Sequence, residues 1–343
     1  IILSSSEELF ARIEQDVRDD LQATYQPIRH LLNLLVHNPA VQGPDLQHRL
    51  PLLKSFSQAL VDNHELASLY VGYADGDFFM VRPLRSDSLK SALGAPDGAA
   101  YQVWSIDRDS LTGISHSRSL FYDPTLKLLA SVENPQETYD PRTRSWFKSA
   151  GARDEQITTE PYIFFSTHNI GTTLARRIGA NAVLGADLTL AQLSATLARH
   201  KVTPSTEVAL LDGDANAIAY PDSNKLIIEG QSSHLAKARD LSPALGALLN
   251  NNAQGNHLDI NQRPWIFARS SMQEGGPRGL QLAVMVPEDE LLADAFRVRW
   301  QGALITLATL LLCVPLGWLT SRILVKPLRA LVREADAIRS FDF

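Results

Sequence analysis

The sequence predicts an α+β protein in which a long N-terminal helix precedes two mixed α/β modules and one membrane-spanning helix. Three observations carry this prediction. An apolar stripe with helical spacing runs through residues 7–36, two strand–turn–strand patterns each open a further set of strands, and an uncharged run occupies residues 300–321.

The first helix is predicted by the spacing of its apolar residues, which recur every three, four or seven positions with charges between them. Ser5 or Ser6 is suited to cap its N-terminus, and Pro27 falls inside the pattern. We interpret residues 1–38 as a stalk helix, with residues 1–3 as the end of a first membrane segment that precedes them. The apolar stripe consists of Phe10, Ile13, Val17, Leu21, Ile28, Leu31 and Leu35.

Two hairpins are predicted because an Asp-Gly turn separates two apolar runs in each case. The turns lie at residues 75–77 and 212–214. The same Asp-Gly-Asp triplets could begin calcium loops, but the later ligands of such loops are missing, so we interpret both as turns. Further strands are predicted at 101–104, 163–165, 172–175, 182–187, 265–268 and 280–286, with a helix at 188–200.

These elements divide the chain into a membrane-distal module over 39–200 and a membrane-proximal module over 201–286. A helix over 287–299 would then continue without a loop into the uncharged run at 300–321. A helix of that length spans roughly 33 Å, enough for a bilayer core of about 30 Å. Trp300 and Trp318 stand near its two ends, where aromatic side chains favour the headgroup region.

Basic residues are more frequent after the uncharged run than before it, which places residues 322–343 in the cytoplasm and residues 1–299 outside. The predicted location is therefore the bacterial inner membrane, with a periplasmic sensor part. The composition fits, since 45% apolar and 20% charged residues allow a large core. A net charge of −6 argues against nucleic-acid binding, and the single cysteine, Cys313, excludes a disulfide within the chain.

One cluster of side chains is suited to ligand binding. The segment from Tyr139 to Phe147 includes Arg144, whose planar guanidinium matches a carboxylate, and Trp146, which could close a pocket. Asp187, at the end of a predicted strand, could hold an ammonium group. The alternative is that Arg144 braces a loop and that Trp146 belongs to the core.

The motif Tyr-Asp-Pro-Arg-x-Arg-x-Trp-Phe at 139–147, followed by Glu-Pro-Tyr at 160–162 and Gly-Ala-Asp-Leu at 185–188, resembles the tandem Cache sensor domains of bacterial receptors. The resemblance covers about residues 7–300. It implies two PAS-like modules, of which the distal one binds a small ligand. In the amino-acid-binding members, the positions of Tyr139, Arg144 and Trp146 address the ligand carboxylate.

In the same members, the positions of Tyr162 and Asp187 address the ligand amine. Phe147 stands where that subgroup usually has Tyr, and Phe164 where it often has Asp. Both changes remove polar contacts, mostly on the side of the ammonium group, which weighs against an α-amino acid and favours a carboxylate or another small polar metabolite. The ligand classes left open are an amino acid, an amine and an organic acid. No cofactor and no metal ion is expected, because the nine histidines show no close metal-ligand spacing.

Residues 322–343 resemble the first helix of a HAMP relay, with Pro327 near the start and apolar residues at coiled-coil spacing. HAMP units are dimeric bundles, so a homodimer through the stalk and HAMP helices is implied. A juxtamembrane amphipathic helix is the alternative. The output domain, whether a cyclase, phosphodiesterase, kinase or chemoreceptor unit, is left open.

Two other functions compete with a small-molecule sensor. The chain could detect a partner protein or a mechanical state, because Phe147 and Phe164 could fill the pocket. It could also be an extracytoplasmic hydrolase, although the sequence has no Gly-x-Ser-x-Gly elbow and no phosphate loop. For the segment itself no enzymatic activity is expected.

Overall fold

The computed structural model describes residues 2–164, 167–250, 255–272, 276–291, 293, 300 and 302–319. Its first element is the helix α1 (Ile2–Leu35), which contains Pro27 without interruption. The predicted caps Ser5 and Ser6 are wrong, because both residues lie inside the helix. The buried stripe of α1 consists of Phe10, Ile13, Val17, Leu21, Tyr25, Ile28, Leu32 and Leu35.

The apolar stripe of α1 was therefore predicted correctly with two exceptions. Leu31 is only half-buried, because Leu32 takes the buried position in that turn. Tyr25 fills the gap that the prediction left between Leu21 and Ile28. A short 3-10 turn (Pro39–Gln42) and the helices α2 (Leu46–Arg49) and α3 (Leu52–Asp62) then lead to the first sheet.

The first sheet contains nine strands. They are β1 (Leu66–Tyr73), β2 (Phe78–Pro83), β3 (Tyr101–Arg108), β4 (Ser115–Tyr122), β5 (Leu128–Glu133), β6 (Ile157–Thr158), β7 (Tyr162–Ile163), β8 (Ile170–Ile178) and β9 (Ala182–Thr189). The order across the sheet is β5-β4-β3-β2-β1-β9-β8-β6, and β7 also pairs with β8. The first predicted hairpin is confirmed as β1 and β2, which pair antiparallel.

Helices lie between the strands of this region and after it. They are α4 (Asp87–Ala92), α5 (Ser145–Gly151) and α6 (Ala191–Arg199). The predicted helix at 188–200 starts too early, because Leu188 and Thr189 still pair with β8 as part of β9. The predicted strand at 163–165 is also displaced, since β7 ends at Ile163 and Phe164 follows it.

The second sheet has the order β11-β10-β16-β15-β14. Between β11 and β14 the chain forms a two-stranded ribbon and two helices. The ribbon pairs β12 (Ile227–Ile228) with β13 (His234–Leu235), and the helices are α7 (Ala238–Leu241) and α8 (Pro243–Asn250). The sheet strands are β10 (Glu207–Leu211), β11 (Ala217–Ala219), β14 (His257–Ile260), β15 (Arg263–Met272) and β16 (Leu280–Pro287). The second predicted hairpin is confirmed as β10 and β11.

The helix α1 packs on both sheets. Tyr25 hydrogen-bonds Thr172 of β8 in the first sheet, and Glu14 accepts a hydrogen bond of 2.7 Å from Ser270 of β15 in the second. The predicted α+β class, with a long first helix and two mixed α/β modules, is confirmed. The module boundaries themselves, at 38/39 and 200/201, stay predictions.

A separate unit begins at Pro287. Residues 288–291 are helical, and a helix over Gly302–Leu319 is long and apolar enough to cross a membrane, with a mean hydropathy of 2.0. Most of the predicted helix at 287–299 and all of the HAMP-like segment at 322–343 lie outside the described residues.

Candidate functional site

Six of the seven residues predicted to bind a ligand line one small cavity on the first sheet. The cavity has a volume of about 40 Å³, room for only a few water molecules. Phe147 is the exception, and its ring packs against that of Trp146 with the two centroids 5.6 Å apart. The cavity is lined by Tyr139, Arg144, Trp146, Tyr162, Phe164 and Asp187, and by three further residues, Tyr70, Met80 and Trp104.

The segment that carries Tyr139 and Arg144 is shaped by local hydrogen bonds. Asp140 caps a short 3-10 turn, Pro141–Thr143, by accepting a 2.9 Å hydrogen bond from the Arg142 backbone N–H. Helix α5 then begins directly after Arg144. This geometry places Arg144 at the junction of the turn and the helix, and its guanidinium carbon lies 5.4 Å from the centroid of the Tyr139 ring.

The first Asp-Gly-Asp turn anchors this segment to the sheet. Arg108, at the end of β3, donates from Nε to the Gly76 carbonyl oxygen at 2.9 Å and from Nη2 to the Tyr139 carbonyl oxygen at 2.9 Å. The backbone N–H of Arg108 donates to Oδ1 of Asp77 at 2.7 Å. A triplet that could be mistaken for a calcium loop is therefore a turn that positions the Tyr139 segment.

Aromatic rings form much of the cavity wall. The Tyr139 ring centroid lies 4.8 Å from that of Phe78 and 5.0 Å from that of Trp104. Trp146 is only 2% exposed and packs edge-on against Tyr70 at 4.9 Å. Trp146 can approach the sheet this closely because residue 72 is a glycine, where a Cβ would lie 2.7 Å from the Trp146 ring.

A network of hydroxyl groups surrounds Asp187, which also lines the cavity. Oδ1 of Asp187 accepts hydrogen bonds from the Tyr70 hydroxyl at 2.6 Å and from the Thr173 hydroxyl at 2.7 Å. Oδ2 of Asp187 accepts a third from Ser68 at 3.2 Å. The Tyr162 hydroxyl lies 2.7 Å from Thr173 Oγ1, which already donates to Asp187, so Tyr162 is the donor of that bond.

Burial raises the pKa values of the titratable groups in and beside this network. It raises the pKa of Asp187 above its usual range, against the opposing effect of the three hydroxyl donors and of Arg82. It raises the pKa of Tyr70, and the neighbouring Asp187 charge acts in the same direction. Burial also raises the pKa of Tyr162 and Tyr139, so all three phenols are neutral donors at neutral pH.

Two glycines bring the walls of the cavity close together. A Cβ at residue 185 would collide with the Tyr70 ring, and one at residue 171 would collide with Phe164 and with the Leu188 carbonyl oxygen. Phe164 is 4% exposed and packs against Tyr162 with ring centroids 5.3 Å apart. The small volume of the cavity follows from this packing of Phe164 over Gly171.

Sequence reasoning missed the residues that the sheet adds to the site. Tyr70, Met80, Trp104 and Thr173 were assigned to strands but not to the site, and Ser68 was not singled out at all. The signal was the alternation of side chains along a strand. Tyr70 pairs with Met80, and Met80 pairs with Trp104, so these three side chains share one face of the sheet.

Among the residues that the structure describes, no group of three or more His, Cys, Asp or Glu side chains is placed to hold a metal ion. The polar atoms of the site are instead one guanidinium, one carboxylate and several hydroxyls. Such a set can orient a small ligand by hydrogen bonds and charge, and its aromatic walls can exclude water from it.

No protein-family model matches the chain. Two curated proteins are similar over most of it: adenylate cyclase 1 of Rhizobium meliloti, 28% identical over 83% of this chain, and the methyl-accepting chemotaxis protein PscA of Pseudomonas syringae, 22% identical over 84%. The chain spans 44% and 40% of the length of these two relatives.

Among solved structures, the chain is similar to the ligand-binding domain of the Pseudomonas aeruginosa amino acid chemoreceptor PctC in complex with GABA. The identity is 20%, the alignment covers 82% of this chain and 98% of that one, and the TM-score is 0.49. A TM-score below 0.5 is too low to establish a common fold. The curated relatives confirm the predicted resemblance to bacterial signalling receptors, since they include a chemotaxis receptor and a cyclase.

Proposed function

We propose that this chain is the extracytoplasmic sensor region of a bacterial transmembrane receptor and that it binds a small carboxylate-bearing metabolite in the cavity of its first sheet. The module over 39–200 is the ligand-binding one, and the module over 201–286 transmits the response. The chain is held in the inner membrane by residues 300–321. The complete receptor is a homodimer with a HAMP relay and a cytoplasmic output domain.

The observation that carries the proposal is that a cation and an anion, Arg144 and Asp187, line the same small cavity. The rings of Tyr139 and Trp104 also line it, with their centroids 5.0 Å apart. Asp187 is held in place by its hydroxyl donors. A guanidinium beside aromatic rings suits a carboxylate, because the planar fork of donors can bind both carboxylate oxygens.

A binding measurement on the full chain in lipid nanodiscs tests this proposal. Small carboxylates and amino acids are added singly, and the melting temperature is recorded. A ligand at 100 times its Kd adds about 2.7 kcal/mol of stability. Arg144→Ala should weaken binding by about 10- to 100-fold, the value of one charge-assisted interaction.

The matched control is Arg142→Ala. Arg142 lies two residues from Arg144 but pairs with Asp140 at 2.7 Å outside the cavity, and its side chain is 43% exposed. This variant should bind with unchanged affinity. Equal losses in both variants would show that the segment has unfolded locally, and no loss in Arg144→Ala would contradict the proposed site.

A second function is favoured by the small volume of the cavity. Phe164 and Trp146 are almost fully buried, and about 40 Å³ is less than a small metabolite requires, so a ligand could enter only by displacing part of the cavity wall. A sensor of a partner protein could keep such a filled site permanently. The same binding screen separates the two functions, because a partner sensor gives no melting shift with any small molecule.

A further inference from the structure

Four polar side chains lie in a row across four adjacent strands of the first sheet. Asp187 of β9 pairs with Ser68 of β1 on one side and with Thr173 of β8 on the other. On β2, Arg82 follows Val81, which pairs with Leu69, so Arg82 lies beside Ser68. The row therefore runs Arg82, Ser68, Asp187, Thr173, on the face that carries the cavity.

Arg82 is an internal cation of this row. It is 4% exposed, and its guanidinium carbon lies 5.9 Å from the centroid of the Trp104 ring, a wall of the cavity. Burial lowers the pKa of Arg82 to about 10, and the charge of Asp187 acts in the opposite direction. Asp187 is in turn stabilised in its ionised form by Arg82. The register places the two side chains on either side of Ser68 on the same face of the sheet, so their opposite charges attract each other.

The oxygens of Asp187 also have protein partners. Tyr70, Thr173 and Ser68 all direct hydroxyl protons at this carboxylate. A ligand ammonium brings three N–H donors that need acceptors after leaving water. Three protein hydroxyls thus occupy most of the acceptor sites of the Asp187 carboxylate, and the neighbouring wall is the Phe164 ring, which offers no acceptor.

The charges of the site can be counted. The cavity and the row beside it contain the cations Arg144 and Arg82 and the anion Asp187 among the residues that the structure describes, which leaves one positive charge. Protonation of Asp187 would leave two. A zwitterion would bring no net charge to this excess, whereas a carboxylate without an amine would neutralise one unit of it.

We infer that the site selects small monocarboxylates that lack an ammonium group, because three protein hydroxyls and the positive charge of Arg82 on the same face of the sheet already stabilise the Asp187 carboxylate. The hydroxyl row can still accept one hydrogen bond from an uncharged hydroxyl of the ligand, which brings a single donor where an ammonium group brings three. This inference rests on the proposed function of the same cavity and adds the class of ligand.

Matched pairs of probes test the inference on the full chain in nanodiscs. L-Lactate and L-alanine have the same size and differ by a hydroxyl against an ammonium group, and propionate lacks both. Calorimetric titration should give a Kd for L-lactate or propionate at least 10-fold lower than that for L-alanine.

Arg82→Gln should reverse this ratio, since Asp187 then needs a cation from the ligand. Arg85→Gln is the control, because Arg85 donates to the carbonyl oxygens of His64, Leu66 and Leu60 away from the cavity.

The first measurement needs no variant, so it holds even if Arg82→Gln fails to fold. Tighter binding of L-alanine than of L-lactate and propionate, lost in Arg144→Ala, would overturn the inference and leave the proposed function intact. An unchanged ratio in a folded Arg82→Gln protein would also overturn the inference. Absence of binding for all three probes, with no effect of Arg144→Ala on stability in their presence, would overturn both.

Discussion

Replacing Arg49 by Met should destabilise the first module strongly, because this side chain is a buried cation with four acceptors. It is 1% exposed and donates to the Gly43 and Pro44 carbonyl oxygens at 2.7 and 3.1 Å. It also pairs with Asp77 at 2.8 Å and with Asp107 at 3.3 Å.

The magnitude follows from the anions left behind. Asp77 is almost fully buried, and its second oxygen already accepts from the Arg108 backbone. Removing one partner of a buried ion pair typically costs about 3–5 kcal/mol. For a unit of this size about 2–4 °C of melting temperature is lost per kcal/mol, so Arg49→Met should lower the melting temperature by about 6–20 °C.

The assay is thermal unfolding of the full chain in nanodiscs, followed by circular dichroism. Arg12→Met, at an exposed position on α1, is the control and should change stability by less than about 0.5 kcal/mol. Arg49→Met combined with Asp77→Asn should be less destabilised than Arg49→Met alone, because the uncompensated charge is gone. A loss below about 1 kcal/mol, or a double variant no more stable than the single one, would refute the reasoning.

Two further predictions concern the cavity. Gly171→Ala should lower the free energy of unfolding by about 1–3 kcal/mol, because the new Cβ would collide with Phe164 and the Leu188 carbonyl oxygen. Gly151→Ala is the control and should be tolerated, because a Cβ there meets open space. Equal stability of the two variants would contradict the close packing around Gly171. Because burial raises the pKa of Asp187, the folded protein binds this proton more tightly than the unfolded chain, so stability should fall as pH rises from about 4 through the raised pKa. Melting curves over that range should show this fall, and Asp187→Asn should lack it; parallel curves would contradict it.

The strands that the sequence predicted are those with strong local signals. The Asp-Gly turns at 75–77 and 212–214 identified both hairpins, and runs of apolar residues identified β8, β9 and β16. Strand β4 was missed because its first half, Ser-His-Ser-Arg-Ser, has no apolar alternation, and β5 was missed because it is mostly exposed at the edge of the sheet. β4 forms because it pairs with β3, and such pairing between strands leaves no pattern in the local sequence.

The site could be predicted only where its residues are close in sequence. Tyr139, Arg144 and Trp146 form a recognisable cluster, but Arg82 and Thr173 are contributed by strands that are distant in the chain. They reach the site because alternate residues of neighbouring strands share a face, and the strand order β2-β1-β9-β8 cannot be read from the sequence. The position of Arg82 close to Asp187 can therefore be recognised only from the register of β2, β1 and β9.

The same strand that holds the polar end of the cavity also contacts the first helix, which gives the proposed receptor a direct route for its signal. In β8, Thr173 faces the cavity and donates to Asp187, while its neighbour Thr172 faces α1 and hydrogen-bonds Tyr25. Both Tyr25 and Thr172 are fully buried, so a shift of β8 at this contact would move packed protein side chains rather than water. A ligand that draws the Arg144 segment towards Asp187 would displace β8, and the contact between Thr172 and Tyr25 would pass this displacement on to α1. Its effect on the receptor is limited to the difference in its affinity for the two positions of that strand.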